Sequence, residues 1–149
     1  MDKEKLIVQA EEAGVIVHWS AATELKGGLE ILIAGRRTAV GRGMDFLSAE
    51  GVAPAEAEAG VAWARIWVEE TATALVEGED GASLLPPVCV LLVRAAEVAE
   101  RYEALVDVLK AEPDRWFAAV TGPSRTADIE KVLVIPAHGP RELHLFVIE

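Results

Sequence analysis

Apolar and polar positions along this chain follow two alternating periods. Leu6, Ile7, Ala10 and Ala13 recur at helical spacing, so residues 3–13 predict a helix that Gly14 stops. The unbroken run Val15-Ile16-Val17-His18-Trp19 predicts a short buried strand. Ser20 can cap a helical turn through Glu24, because its hydroxyl accepts from open backbone N–H groups. Gly27-Gly28 predicts a turn, and Leu29 to Ala34 the next strand. Gly35-Arg36-Arg37 breaks that strand, and Met44 to Ala49 reads as a short helix. Ala53 to Ala59 reads as a connection with a turn of helix at Pro54.

Gly60 to Val68 and Ala74-Leu75-Val76 predict two strands with a tight junction at Glu69-Glu70-Thr71-Ala72-Thr73. Glu77 to Ser83, with Gly78 and Gly81, predicts an exposed hairpin-type loop. Val88 to Val93 is apolar without alternation, which predicts a central strand covered on both faces. Ala95 to Lys110 reads as one amphipathic helix, with Val98, Tyr102, Leu105, Val106 and Leu109 on its apolar side. Trp116 to Val120, Val132 to Ile135 and Leu143 to Ile148 are the last apolar runs. Strands alternating with helices predict an α/β layered fold around a mostly parallel sheet, in one domain spanning residues 1–149.

Composition narrows the class. Hydrophobic residues make up 52 % of the 149, which excludes a disordered chain, and aromatics only 5 %, so small aliphatics must fill the core. The formal net charge of −11 argues against nucleic acid and against an anionic membrane surface as partners. It leaves room for a local basic pocket, for which Arg36, Arg37, Arg125 and Arg141 are candidates. One cysteine, Cys89, excludes an internal disulfide and an iron–sulfur cluster ligated by this chain alone, since such clusters take about four thiolates. Cys89 lies inside an apolar strand and reads as a small buried hydrophobe rather than a nucleophile. His18, His138 and His144 show no ligand spacing with each other or with Cys89, so no metal site and no cofactor is expected. The charged start Met1-Asp2-Lys3-Glu4-Lys5 reads as a helix and not a signal peptide, and the apolar runs are too short to span a bilayer, so the cytoplasm is the expected location. A Trp-rich or apolar patch would support a homodimer.

Three stretches carry candidate chemistry. Thr121-Gly122-Pro123-Ser124-Arg125-Thr126-Ala127-Asp128-Ile129-Glu130 follows a strand directly. Ser124 or Thr126 can cap a helix beginning near Ala127, with Asp128 in its first turn. A helix starting at the carboxyl end of a parallel strand would aim open N–H groups at an anion, and Arg125 would add a planar fork. The same residues equally suit an ordinary capped turn. In the second stretch, Ala137-His138-Gly139-Pro140-Arg141, His138 is an acid–base candidate or a loop-holding residue. In the third, Glu69 and Glu70 point to opposite faces of an extended segment, so only one can face a crevice.

The run Thr121 to Arg141, with its two motifs in order, resembles the signature of the lactate-utilisation (LUD) domain family, of the type that carries no iron–sulfur cluster. Glu69-Glu70-Thr71-Ala72-Thr73 and Leu85-Pro86-Pro87 resemble two further family elements, each preceding a strand. The chain departs from the pattern at Ala72, where the family usually has Gly, and in the region before Gly60, where the likeness is weak.

The resemblance implies a Rossmann-like three-layer α/β fold, related to ribose-phosphate isomerases and CoA-transferases. It implies a part in oxidising L-lactate to pyruvate beside partner proteins that carry the iron–sulfur clusters, as a catalytic or an accessory component. A stand-alone small-molecule enzyme or binder of the isomerase/CoA-transferase type is the alternative, and a merely rigid β-α corner a third. With the resemblance added, the expected pocket takes Glu70 and His138 as acid–base candidates. Thr71, Thr73, Gly122, Ser124, Arg125, Thr126, Asp128, Gly139 and Arg141 would hold a small carboxylate or phosphate-bearing metabolite.

Overall fold

The computed structural model describes residues 1–49, 51–78, 84–122 and 140–149 in full, and 126–127 and 133–134 by their backbone. Helix α1 (Lys3–Glu12) starts where Asp2 accepts from the Glu4 and Lys5 amides, and it buries Leu6 and Ala10. It leads into β1 (Val15–Ser20) through Gly14, whose φ of 82° suits a residue without Cβ. Helix α2 (Leu25–Ile33) then crosses to β2 (Thr38–Val40), and a 3-10 turn at Pro54–Glu56 precedes β3 (Ala59–Val68). The chain continues through β4 (Thr73–Glu77), β5 (Val88–Arg94), a 3-10 turn at Ala95–Glu97, β6 (Val98–Ala99) and α3 (Glu103–Ala111). It ends with β7 (Phe117–Val120), β8 (Thr126–Ala127), β9 (Leu133–Val134) and β10 (Glu142–Ile148).

The main sheet runs β1-β10-β5-β3-β4-β7. From β1 to β3 all neighbours are parallel, with β2 parallel to the first residues of β3. The second half of β3 pairs antiparallel with β4, which pairs antiparallel with β7. A register shift between Ala64 and Ile66 leaves Arg65 as an extra residue at the changeover, the local device by which a long strand serves two neighbour sets. The expected central strand is β5, flanked by β10 and β3 and buried from Cys89 to Val93.

Each face of the sheet carries its own core. Leu6 and Ala10 of α1 pack with Trp67, Leu91, Leu143 and Leu145 on one side. Leu25, Leu29 and Ile33 of α2 pack with Val61, Val90, Leu92 and Phe146 on the other. By the pleat, Ile66 and Val68 share the α2 side, where they meet Leu105 of α3. The result is a Rossmann-like α/β fold with a mostly parallel sheet between helical layers. Among the described residues no helix is long and apolar enough to cross a membrane.

Four local expectations are corrected. Residues 29–34 are helix, not strand. Leu25, Leu29 and Ile33 are buried at four-residue spacing while Ile31 is 81 % exposed, a helical face that Gly27 and Gly28 interrupt without ending. Residues 44–47 form a turn closed by Leu47 N–H donating to Met44 O, not a helix. Ala95 to Lys110 is not one helix, because Val98 and Ala99 pair with Trp67 and Val68 of β3, and ladder pairing overrides helical periodicity there. Thr126 and Ala127 pair antiparallel with Val134 and Leu133, so no helix begins at Ala127. The loop 79–83 lies outside the described residues.

Gly27 gives a stability prediction. A Cβ there meets nothing within 4 Å and its φ is not positive. Gly27→Ala should therefore stabilise by about 1 kcal/mol, the mid-helix difference between the two residues. Differential scanning calorimetry should show a melting temperature higher by about 2–4 °C.

Candidate functional site at the carboxyl edge of the sheet

Parallel pairing aligns Ser20, Ile148 and Arg94 in one row across the ends of β1, β10 and β5. Beyond that row the chain turns away, into α2 after β1 and into the 3-10 turn after β5. Open α/β sheets place ligand crevices at this edge, because the connections diverge there and leave a hollow. Here the hollow is a cleft of about 690 Å³ on the α2 face. Phe46, Trp63, Leu25 and Ile148 give it apolar walls, and Arg94 and Lys26 bring positive charge.

The Arg94 guanidinium lies 4.8 Å from the Trp63 ring centroid, so stacking on the indole orients its planar fork. Trp63 is itself pinned, its indole N–H donating to Gly43 O at 3.5 Å. Arg94 also pairs with Glu97 one turn on at 3.6 Å, and Lys26 with Glu30 at 3.8 Å. Both pairs are solvent-exposed, so an incoming anion competes with weak bonds. Glu149 also lines the cleft, so its two cations stand beside one acidic residue as well as the apolar walls.

The sequence-predicted site residues that the structure describes do not all lie together. Glu70, Thr71 and Thr73 share the β3–β4 turn. Thr73 is buried and its hydroxyl donates to Thr71 O at 3.2 Å, while Thr71 is exposed. Exposed Glu70 accepts from the Tyr102 amide at 2.9 Å, in the manner of a helix N-terminal cap for α3. Glu69 is buried and Glu70 exposed, as the opposite-face expectation requires, and burial raises the Glu69 carboxyl above its ordinary value.

Arg141 lies at the other end of the sheet. Its amide donates to Pro87 O, just before the row Glu142–Val88–Ala59. Val68, the end of β3, is nine residues along from that row, roughly 30 Å at strand rise, and Glu70 lies in the turn beyond it, so Glu70 and Arg141 do not share a pocket. Gly122 packs against the end of α1, with a φ of 89°. Thr126 is described by its backbone alone, and Ser124, Arg125, Asp128, His138 and Gly139 lie outside the described residues. Of the segment expected to form an anion site, the structure describes only that β7, which precedes it, is antiparallel to β4 and that Thr126 and Ala127 pair with Val134 and Leu133.

Ala72 adopts a φ of 47°. That left-handed backbone costs an L-residue about 1–2 kcal/mol, the physical reason for glycine at this place in the family signature. The Ala72 methyl is buried against the α1-side core, which offsets about 0.8 kcal/mol of it. Cys89 is fully buried with its thiol donating to Pro86 O at 3.2 Å, and burial pushes its pKa up to about 12, so it is no nucleophile at neutral pH.

Arg94, Trp63 and Lys26 went unnoticed in the sequence. The available signal was Arg94 itself, a charge directly after the most apolar parallel strand. His144 is buried and bonded to His18 at 2.8 Å, a pairing across 126 residues that no local spacing signals.

The LUD domain family matches residues 74–148, about half of the chain. A curated relative, lactate utilization protein C of Bacillus velezensis, is 30 % identical over 95 residues, covering 57 % of this chain. The match spans 39 % of that relative's length. A crystal structure of a DUF162 family protein from Deinococcus radiodurans superposes with a TM-score of 0.75, covering 100 % of this chain and 99 % of that one at 19 % identity, which shows a shared fold. With the family signature spanning β4 to β10 and the fold matched end to end, the chain belongs to the LUD domain family.

Proposed function

We propose that the chain serves L-lactate utilisation and that the carboxyl-edge cleft binds a small carboxylate-bearing metabolite. The observation that carries the reading is Arg94 stacked on Trp63 at the end of β5, facing apolar walls beside Lys26. A guanidinium carries two parallel N–H donors, the geometry a carboxylate matches. The apolar walls desolvate the pair and strengthen it. The role in lactate utilisation rests on the similarity to lactate utilization protein C. In this reading, the electrons taken from lactate pass to iron–sulfur partner proteins, since this chain's only thiol is buried and protonated.

The segment from Thr121 to Arg141 enters as a second, separable part of the proposal. There Ser124, Arg125, Thr126, Asp128 and Gly139 would hold a phosphate-bearing group, with His138 as acid–base group. Glu70, Thr71, Thr73, Gly122 and Arg141 remain candidates only as supports of that segment.

Calorimetric titration with L-lactate and pyruvate separates the parts. Arg94→Ala should weaken binding at least about tenfold, the loss of a charge-assisted bidentate contact, while Arg125→Ala leaves it unchanged. Loss with Arg125→Ala alone would move the carboxylate out of the cleft. Co-purification of the wild-type chain with cluster-bearing proteins favours a component of a lactate-oxidising assembly; a solitary chain that turns over a small acid favours the stand-alone enzyme.

A further inference from the structure

A second polar constellation lies on the α2 face of the sheet, apart from the cleft. Glu142, His144 and Phe146 alternate along β10, and His18 lies across from Phe146 on β1. Glu142 Oε1 and His144 Nε2 are 2.5 Å apart, and His144 Nδ1 is 2.8 Å from His18 Nε2. The neighbouring positions on this face, Val90, Leu92 and Phe146, are apolar, so the two imidazoles are a costly choice for a purely packed surface.

The bonding order fixes the protons. A carboxylate only accepts, so His144 Nε2 donates to Glu142. In a neutral imidazole the other nitrogen then accepts, so His144 Nδ1 takes the proton of His18 Nε2. His18 Nδ1 is left as an acceptor. Burial and His144 together lower the His18 pKa, which keeps the ring neutral and leaves Nδ1 unprotonated at neutral pH.

His18 lines a pocket of about 470 Å³ between β1 and α2. The Phe146 ring stacks on His18 at 4.4 Å, and Ile31 and Leu32 of α2 supply further apolar wall. Gly28 of α2 faces the Phe146 ring, where a Cβ would make a contact of 3.4 Å. The polar groups at the rim are acceptors. Glu24 is a carboxylate, and the Ser20 hydroxyl already spends its proton on Ala21 O at 2.9 Å.

We propose that Glu142, His144 and His18 form an acid–base relay serving a second binding site, between β1 and α2, for a flat uncharged molecule whose hydroxyl donates to His18 Nδ1. Flatness follows from the aromatic and aliphatic walls, and the hydroxyl from a rim of acceptors. The absence of negative charge follows from Glu24, whose carboxylate at the rim repels another. His144 and Glu142 are positioning residues that hold His18 in the accepting tautomer. This site is independent of the anion cleft and survives if that cleft is wrong.

Phenol is the probe: a flat ring with one hydroxyl donor, un-ionised at about pH 8. Ring-nitrogen NMR of the full chain should show His18 and His144 both protonated at Nε2. Phenol should shift the His18 ring and bind at least about tenfold more tightly than anisole, which lacks the donor, or benzoate, which is charged. His18→Phe should erase that preference. His144→Leu, which touches no ligand, should reduce it by freeing His18 to adopt the other tautomer. Equal binding of phenol and anisole, absence of phenol binding, or His18 protonated at Nδ1 would each overturn the proposal.

Discussion

Gly122→Ala should destabilise the protein by about 2–5 kcal/mol, a large share of the stability of a typical domain. Two costs add. The φ of 89° is a conformation that an L-residue adopts only with strain of about 1–2 kcal/mol. The new Cβ would also fall 2.3 Å from the Ala13 carbonyl oxygen. That oxygen cannot step aside cheaply, because Ala13 is the C-cap of α1, its amide donating to Gln9 and Glu11 carbonyls. Relieving such a contact costs about another 1–3 kcal/mol. Gly78→Ala is the control. Its Cβ would lie 2.5 Å from a Trp116 ring carbon, but that ring is 80 % exposed and can swing away. Its cost should be nearer about 1 kcal/mol, the part owed to the Trp116 carbonyl at 3.0 Å. Urea unfolding of the two variants measures the difference. Equal costs would mean that the α1 end yields as readily as an exposed side chain.

Trp67→Ala should cost about 3–5 kcal/mol. Trp67 is fully buried in the second half of β3, where it fills the α1-side core with Leu6, Leu91 and Leu145. Truncation removes the apolar contact area and leaves a cavity that a sheet paired on both sides cannot close. The indole N–H has no partner among the described residues, so it adds desolvation cost without return. Trp67→Phe should therefore cost under about 1.5 kcal/mol, since losing the orphan donor offsets part of the lost volume. Near-equal losses for the two variants would show that the N–H, not the packing, matters.

The sequence made the core strands legible because their burial is local information. Val88 to Val93 has no polar position to alternate with, and such a strand must be covered on both faces. Leu29 to Ala34 misled for the complementary reason. Ile31 and Ile33 favour strands and Gly27-Gly28 favours a turn. The decisive Leu25–Leu29–Ile33 face is visible only once α2 has a sheet to lie on. The family resemblance was legible in short motifs, and the left-handed backbone at Ala72 gives one of them a physical cause.

The cleft was not legible. Arg94, Trp63, Lys26 and Ile148 come from four separate segments, gathered because β10 inserts between β1 and β5. Strand order is a long-range property that no local pattern encodes. The same insertion places His144 beside His18, 126 residues away.

The central claim is that the LUD domain presents a carboxylate site at the carboxyl edge of its parallel strands. Amide and side-chain NMR mapping of the labelled chain during titration with L-lactate tests it most directly. The account predicts saturable shifts of the Trp63 indole N–H, the Arg94 Nε–H and the Lys26 amide that follow one binding curve and vanish in Arg94→Ala. Saturable shifts confined to the Thr121–Arg141 segment, with the cleft signals unmoved, would contradict it.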